Sequence, residues 1–142
     1  MGFTSKKASD VLAYYIKNSH YIGLFTAKPT ESTNGTVTFS EVPTSGTGYA
    51  RAAIGTVNTS VSAQIANSAI IYFPETLADW GTITHFGLFE SSGASQPYFW
   101  GELSNPVPVT GVDYANGITY VPIFRAHAMI IGLDKDELDT KY

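Results

Sequence analysis

Residues Asp79–Glu90, with the sequence DWGTITHFGLFE, and residues Tyr98–Leu103, with the sequence YFWGEL, flank a loop of small residues at 91–95. The two runs contain both tryptophans of the chain and four further aromatic residues. Aromatic and β-branched residues suit the half-buried surface of a strand, and a Ser/Gly cluster between two such runs is typical of a turn. Gly87 and Gly101 allow an aromatic ring or a second backbone to come close to the strands. The stretch therefore predicts a β-hairpin at the centre of a β-sandwich core.

Alternation of apolar and polar residues, the period of a β-strand, extends over most of the chain after His20. The Asn-Gly pairs at positions 34–35 and 116–117 favour tight hairpin turns, because both residues tolerate positive φ. Pro122 cannot donate a backbone hydrogen bond and is therefore expected at an edge or a bulge. The pattern predicts an all-β, jelly-roll-like β-sandwich of about eight strands. The predicted strands are Tyr21–Thr26, Thr36–Ser40, Tyr49–Val57, Ser68–Phe73, Thr82–Glu90, Tyr98–Leu103, Ile118–Phe124 and Arg125–Ile131.

The N-terminal residues carry the clearest helical pattern of the sequence. Between Thr4 and Asn18, apolar residues recur at positions 8, 11, 12, 15 and 16, which form a single stripe along a helix. Such a stripe packs either on the chain's own sandwich or on a neighbouring chain. We expect three parts: an N-terminal helix and tether (1–19), a β-sandwich domain (20–133) and an acidic C-terminal tail (134–142).

The 142-residue chain has a formal net charge of −4, and 14% of its residues are charged. Between Pro29 and Phe124 the single basic residue is Arg51. Binding to nucleic acid or to an anionic membrane needs clustered Lys and Arg, so this distribution argues against both partners. No secretion signal is visible, and no apolar run reaches the length of a membrane span. We therefore expect synthesis in a cytoplasm without insertion into a membrane.

The chain has no cysteine, which excludes disulfides, thiolate metal ligands and cysteine nucleophiles. Its three histidines, His20, His85 and His127, lie on separate segments and form no HxH or HxxxH pair. Metal sites need several such ligands close together, so we expect no metal ion and no other cofactor. Alternation places His85 on the strand face opposite Phe86, which favours a structural role for this histidine.

Glu90 and Glu102 flank the predicted hairpin and could face each other as the two carboxylates of a glycosidase do. Solvated carboxylates at the rim of a hairpin explain them equally well. No serine lies in a G-x-S-x-G elbow, and the glycines at 46 and 48 precede a strand rather than a helix, so they form no phosphate-binding loop. The sequence therefore predicts a protein without enzymatic activity.

Two interpretations of the isolated cation Arg51 are open. Its guanidinium either pairs with a carboxylate or with carbonyls at strand ends and stacks on an aromatic ring such as Trp80, or it binds a partner or ligand. Aromatic residues inside strands are usually core residues, whereas tyrosines outside them, such as Tyr14 and Tyr142, are free to contact a partner. The candidate structural or interface residues are Arg51, Trp80, His85, Trp100, Tyr14, Tyr15 and Tyr142.

Several motifs carry a resemblance to known proteins. They are Gly48–Arg51, Phe73-Pro74, Asp79–Phe89, Phe99–Leu103 and the opening segment Tyr21–Pro29. With these motifs the chain resembles a family of small virion proteins of tailed bacteriophages, labelled tail fibre or minor structural proteins. The similarity extends from Ser9 to Leu103 and is most specific in the Trp-Gly-Thr and His-Phe-Gly strings of the hairpin. The resemblance implies a β-sandwich without enzymatic activity that is trimeric or arrayed by symmetry.

From the resemblance we expect a structural subunit of a tailed-phage virion that acts by symmetric assembly. It would serve as a tail or neck fibre, a collar or adaptor protein, or a head decoration protein. The expected partners are identical copies, in a homotrimer, and other phage structural proteins. A second interpretation is a carbohydrate-binding module of a phage tail that recognises host-surface glycans through exposed aromatic residues. Both interpretations place the protein in the virion after its synthesis in the host cytoplasm.

Overall fold

The computed structural model describes residues 7, 10–12, 14, 16, 20–58, 64–109, 116–117, 121–125 and 128–132. The chain forms two compact units, which we call the major and the minor unit. The major unit comprises His20–Ala53 and Tyr72–Ile123, and the minor unit comprises Met1–Ser19, Ile54–Ile71 and Phe124–Tyr142. The division into helix, sandwich and tail at 1–19, 20–133 and 134–142 stays a prediction.

Strands dominate the described part of the chain. In chain order they are β1 (Tyr21–Phe25), β2 (Thr30–Glu31), β3 (Val37–Thr38), β4 (Ala52–Ala53), β5 (Val57–Asn58), β6 (Gln64–Asn67), β7 (Ile71–Tyr72), β8 (Gly81–Phe89), β9 (Pro97–Val109), β10 (Ile123–Phe124) and β11 (Ile130–Gly132). The predicted fold class, an all-β sandwich with one short N-terminal helix, is confirmed. Among the described residues, no helix is long and apolar enough to cross a membrane.

The main sheet of the major unit has the antiparallel order β4-β1-β8-β9. The predicted aromatic hairpin is confirmed as β8 and β9, although β9 continues to Val109. His85 and Phe86 are neighbours in a pleated strand and lie on its two opposite faces. Both are buried, as are the next three residues, because β8 is a central strand that is covered on both faces. The centre of the hairpin is thus more deeply buried than a half-buried strand.

Two glycines of the hairpin make room for aromatic rings, as the sequence predicted. A Cβ atom on Gly87 would collide with the ring of Phe25 in β1. A Cβ atom on Gly101 would lie 2.9 Å from the ring of Phe86. The ring of Phe25 also stacks on Phe39, with 4.9 Å between the ring centroids. These contacts bring rings from separate strands into one core.

β2 and β3 form the hairpin predicted at the Asn34-Gly35 pair. Gly35 adopts a φ of 87°, a conformation that side chains with a Cβ rarely adopt. Asn34 Oδ1 accepts a hydrogen bond from the backbone N–H of Thr36 at 3.1 Å, which closes the turn from inside.

The minor unit contains the antiparallel sheet β11-β6-β5. The fully buried side chain of Asn67, in β6, connects it to the C-terminal segment. Its Nδ2 donates to the carbonyls of Ala69 and Arg125, both at 2.8 Å, and its Oδ1 accepts from the N–H of Met129 at 2.9 Å. Every hydrogen bond of this amide therefore fixes the path of the backbone around β6.

The predicted N-terminal helix is confirmed at the residues that the structure describes, which are helical at positions 7, 10–12 and 14. Leu12 and Ile16 are each 1% exposed, whereas Tyr14 is 69% exposed. The buried positions belong to the predicted apolar stripe, and Tyr14 lies outside it.

Some predicted strands are much shorter in the structure. The predicted strand Tyr49–Val57 is paired only at β4 and at its last residue, since Gly55 adopts a φ of 67° that interrupts an extended chain. The predicted strand Ser68–Phe73 is reduced to β7, because the Asn67 side chain bonds the carbonyl of Ala69 and bends the segment after β6. Of the predicted strand Arg125–Ile131, the structure describes residues 125 and 128–131, and among these it pairs Ile130 and Ile131 in β11.

Candidate functional site

Arg51 lies directly before β4 and is held by its own chain. Its Nε and Nη2 donate to Oε2 and Oε1 of Glu41, both at 2.9 Å, in a bidentate ion pair. Its Nη1 donates to the carbonyls of Ala94 at 2.6 Å and Ser92 at 3.2 Å, in the loop between β8 and β9. The two charged side chains are 12% and 18% exposed. Arg51 therefore ties the tip of the aromatic hairpin to the segment that precedes β4.

The flat face of the Arg51 guanidinium lies over the ring of Phe89, with 3.4 Å between Cζ and the ring centroid. An aromatic partner was expected, but the ring is Phe89 and not Trp80. Trp80 is a core residue, since its Nε1 donates to the carbonyl of Thr47 at 2.8 Å and its ring meets that of Tyr49 at 5.3 Å. These contacts favour the structural interpretation of Arg51.

Tyr49 binds the same carboxylate as Arg51. Its hydroxyl donates to Glu41 Oε2 at 2.6 Å and accepts from the backbone N–H of Leu24 at 3.0 Å. Burial, followed by the hydrogen bond to Glu41 and by the charge of this carboxylate, raises the pKa of Tyr49 far above its ordinary value. We call Glu41, Tyr49, Arg51 and Phe89 the arginine cluster.

The arginine cluster is suited to structure and not to catalysis. Glu41 and Arg51 neutralise each other, and Tyr49 keeps its proton at neutral pH. The guanidinium directs its donors at a carboxylate and two carbonyls of its own chain, so it is not offered to an anionic ligand. A buried pair with these additional hydrogen bonds fixes the geometry of the segments it joins.

The remaining predicted site residues are spread over the molecule. His85 is buried, with Nδ1 2.8 Å from Thr84 Oγ1 and its ring centroid 6.1 Å from that of the half-buried Trp100. Tyr14 is exposed on the N-terminal helix. Tyr15, Tyr142 and His127 lie outside the described residues. Within the part of the chain that the structure describes, no group of three His, Asp or Glu residues could hold a metal ion.

Glu90 and Glu102 do not face each other. The register of the hairpin places Glu102 opposite His85, and Glu90 follows the end of β8 five residues further along. At about 3.4 Å per residue, the backbone positions of the two residues are about 17 Å apart along the hairpin. Carboxylate pairs of glycosidases are about 5–10 Å apart. The structure therefore does not assemble the catalytic pair considered from the sequence.

Sequence reasoning missed an exposed apolar surface on the major unit. The N–H of Phe73 donates to the carbonyl of Pro122 at 3.0 Å, so Tyr72 and Ile123 lie side by side on β7 and β10. Both are exposed, and so is Val121, two residues before Ile123. We call Tyr72, Val121 and Ile123 the apolar strand pair. The signal that could have revealed it is Pro122, which marks an edge between two apolar residues.

The segments of the major unit carry a net negative charge. Its segments contain two basic residues, Lys28 and Arg51, against seven acidic ones, which gives a formal charge of −5. Arg51 is already paired with Glu41. Exposed carboxylates include Glu75 and Glu90. A partner of this unit therefore meets an anionic surface with apolar areas.

The described residues thus show an all-β fold, an ion pair closed within the chain and several exposed apolar side chains. Residues 12–118, about three quarters of the chain, match the family model described as Podophage GP4 fiber I protein gp80. The chain therefore belongs to this family of phage fibre proteins. A comparison with curated proteins gives no match.

Family membership establishes the general role of the chain. It is a structural protein of a tailed phage and a component of the virion. The resemblance found in the sequence motifs is confirmed to the level of a phage tail fibre protein. A fibre structural family also favours a role without enzymatic activity.

Proposed function

We propose that this chain is a fibre subunit that works by association of identical copies and not by catalysis. The apolar strand pair is the observation that carries the proposal, because Tyr72 is 64% exposed and Val121 and Ile123 are 45% and 44% exposed. Contiguous exposed apolar residues mark contact surfaces in proteins. Membership of a fibre family favours further copies of the same chain as the partner.

Association also relieves a weakness of this part of the fold. β7 and β10 have two residues each, and a two-stranded ribbon of this size is marginally stable in water. Covering the exposed halves of these side chains gains about 1–2 kcal/mol for each residue. A neighbouring copy on the apolar strand pair would therefore stabilise the ribbon and the assembly together.

The proposed oligomer is the homotrimer that the resemblance implies. Other phage structural proteins are the proposed attachment sites, at the tail, the neck or collar, or as a decoration of the head. The subunit is synthesised in the host cytoplasm and then incorporated into the particle.

The experiment measures the mass of the purified chain in solution by sedimentation and detects the chain in purified virions by mass spectrometry. The double variant Tyr72→Ser/Ile123→Ser removes much of the apolar strand pair. Val107→Ser is the matched control, since Val107 is 41% exposed but lies in β9. We expect oligomers of the wild type and of the control, and weaker association of the double variant.

Two outcomes contradict the proposal. If the double variant associates as strongly as the wild type, the apolar strand pair is not the contact surface. If the chain is absent from purified virions, the fibre role itself is wrong.

Exposed tyrosines favour glycan binding as a second candidate function. Tyr72 is 64% and Tyr98 is 49% exposed, both on strands of the major unit. An amphipathic ring fixed on a strand offers a flat apolar surface with a polar rim, which suits a sugar ring. A glycan array with the wild type and Tyr98→Ala tests this function. Binding by the wild type that the variant loses supports it, whereas no binding by the wild type contradicts it.

A further inference from the structure

β9 is the longest strand among the described residues and lies at the edge of the sheet β4-β1-β8-β9. No strand among the described residues pairs with its outer side. An open strand edge presents unpaired N–H and C=O groups and is a template for pairing with another chain. The direction of each backbone group on β9 decides where such pairing is allowed.

These directions follow from the hydrogen bonds of β1. The N–H of Leu24 donates to the hydroxyl oxygen of Tyr49 at 3.0 Å, and the C=O of Leu24 accepts from the N–H of Val42 at 3.1 Å. The backbone N–H and C=O of Leu24 therefore point away from β8. In β8 the register partner of Leu24 is Phe86. In an antiparallel ladder this makes a non-hydrogen-bonded pair, so Phe86 directs its own N–H and C=O towards β9.

The same alternation continues into β9. Phe86 lies opposite Gly101, so the backbone groups of Gly101 face β8. The groups of its neighbours, Trp100 and Glu102, then face the open side of the sheet. Gly101 is half-exposed, whereas Gly87 in the adjacent strand is buried, which agrees with an accessible edge at this point. We call Trp100–Glu102 the edge window.

Prolines close the edge on both sides of the edge window. Pro108 lies opposite Thr82 and has no N–H, so it offers no donor to a further strand at this end of β9. Pro106, two residues earlier in the strand, also lacks a donor. Pro97 begins β9 and also lacks a donor. Edge prolines prevent uncontrolled pairing, and here they leave one short segment available.

We propose that the edge window pairs antiparallel with the edge window of a second copy, around a two-fold axis at Gly101. This inference rests on the proposed function, which is association of identical copies. The N–H of Trp100 donates to the C=O of Glu102 of the partner subunit, and the N–H of Glu102 donates to the C=O of Trp100 of the partner subunit. The symmetry repeats both bonds, so four backbone hydrogen bonds form.

Charge selects a second copy in this register. The exposed carboxylate of Glu102 lies opposite Trp100 of the partner subunit and not opposite another carboxylate. A shift by two residues would place Glu102 against itself, and like charges directly opposite each other destabilise a strand pair. The axis at Gly101 uses both outward donors and both outward acceptors. In a trimeric fibre, a two-fold contact of this kind joins one trimer to another.

The first experiment compares Glu102→Pro with Glu102→Gln by sedimentation over a range of concentrations. Proline at position 102 removes the outward N–H of that residue in both copies and therefore two of the four hydrogen bonds. Glutamine at position 102 keeps the N–H and removes the charge. For Glu102→Pro we expect a dissociation constant about 10- to 30-fold above that of the wild type. For Glu102→Gln we expect pairing at least as strong as in the wild type. Unchanged pairing of Glu102→Pro overturns the proposal.

A second experiment does not depend on the folding of the proline variant. The chain has no cysteine, so Glu102→Cys can carry a single nitroxide label. In the proposed register the two labelled positions are diagonal neighbours, with Cβ atoms about 7–8 Å apart. We expect dipolar broadening of the spin spectrum, and no broadening for the control Glu31→Cys in β2.

The outcomes separate this inference from the proposed function. Associated chains without broadening at Glu102→Cys overturn the edge-window contact, while their presence in virions leaves the fibre role intact. A chain that is absent from virions contradicts the fibre role, whatever the spin spectrum shows.

Discussion

Replacement of Arg51 by methionine separates the two roles considered for this residue. Methionine keeps an unbranched apolar stem over Phe89 but removes four hydrogen bonds, two to Glu41 and two to the carbonyls of Ser92 and Ala94. Glu41 then keeps the hydroxyl of Tyr49 as its partner in a site where its side chain is 18% exposed. The variant therefore tests what an incompletely compensated carboxylate costs this fold.

The expected loss of stability follows from these contacts. Removing one partner of a buried ion pair costs about 3–5 kcal/mol, and the partial exposure of Glu41 places this site near the lower end. The lost contact between guanidinium and ring adds about 0.5–1 kcal/mol. We expect the free energy of unfolding of Arg51→Met to fall by about 3–4 kcal/mol. For a chain of this size the melting temperature then falls by about 10 °C.

Urea and thermal unfolding, followed by tryptophan fluorescence, measure this loss. The matched control is the double variant Arg51→Met/Glu41→Gln, in which neither charge of this pair remains. We expect the double variant to recover at least half of the lost stability, because replacing both partners of a buried pair costs less than removing one. If Arg51→Met unfolds within about 1 kcal/mol of the wild type but no longer associates, Arg51 is an interface residue and the structural interpretation is wrong.

Three further predictions concern packing, pH and salt. Gly87→Ala lowers the free energy of unfolding by about 1–3 kcal/mol, because the added Cβ atom collides with the Phe25 ring; urea unfolding of Gly87→Ala within error of the wild type contradicts this packing. The pKa of Tyr49 is raised above its model-peptide value of 10.0, so the folded state holds this proton more tightly. The stability that the protonated Tyr49 hydroxyl gives the folded state is present below pH 10 and is lost as the pH rises further. Urea unfolding at alkaline pH should therefore show a smaller loss of stability for Tyr49→Phe than for the wild type. Added salt should strengthen association, because it screens repulsion between major units that each carry −5; sedimentation that shows weaker association in salt contradicts this prediction.

The aromatic hairpin could be predicted because its signals are local. Aromatic runs, a loop of small residues and glycines under rings all lie within 25 residues of sequence, Asp79–Leu103. The extension of β9 to Val109 could not be predicted, because Pro106 and Pro108 argue against a central strand. Prolines are tolerated in an edge strand, but the sequence does not show that β9 lies at an edge. The edge position of β9 depends on the order of the whole sheet, which no local pattern contains.

The arginine cluster shows a different limit. An isolated cation predicts a carboxylate partner, but the sequence does not select Glu41 among the seven acidic residues of the major unit. Gly46 and Gly48 adopt φ values of 74° and 77° in the turn between the two partners, and this turn brings them together. The sequence likewise does not show that the guanidinium of Arg51 stacks on Phe89 and not on Trp80, because this depends on how the core is packed.

The pairing of Arg51 with Glu41 also explains why the proposed contact surfaces have no sequence motif. With Arg51 paired inside, Lys28 is the other basic residue in the segments of the major unit. Ion pairs between two copies of this unit would therefore be scarce, and in the proposed assembly the contacts between copies use apolar side chains and backbone hydrogen bonds. The apolar strand pair supplies the first and the edge window supplies the second. Neither is a motif, because exposure depends on packing and an open N–H depends on strand order; the scarcity of charge is what the sequence itself shows.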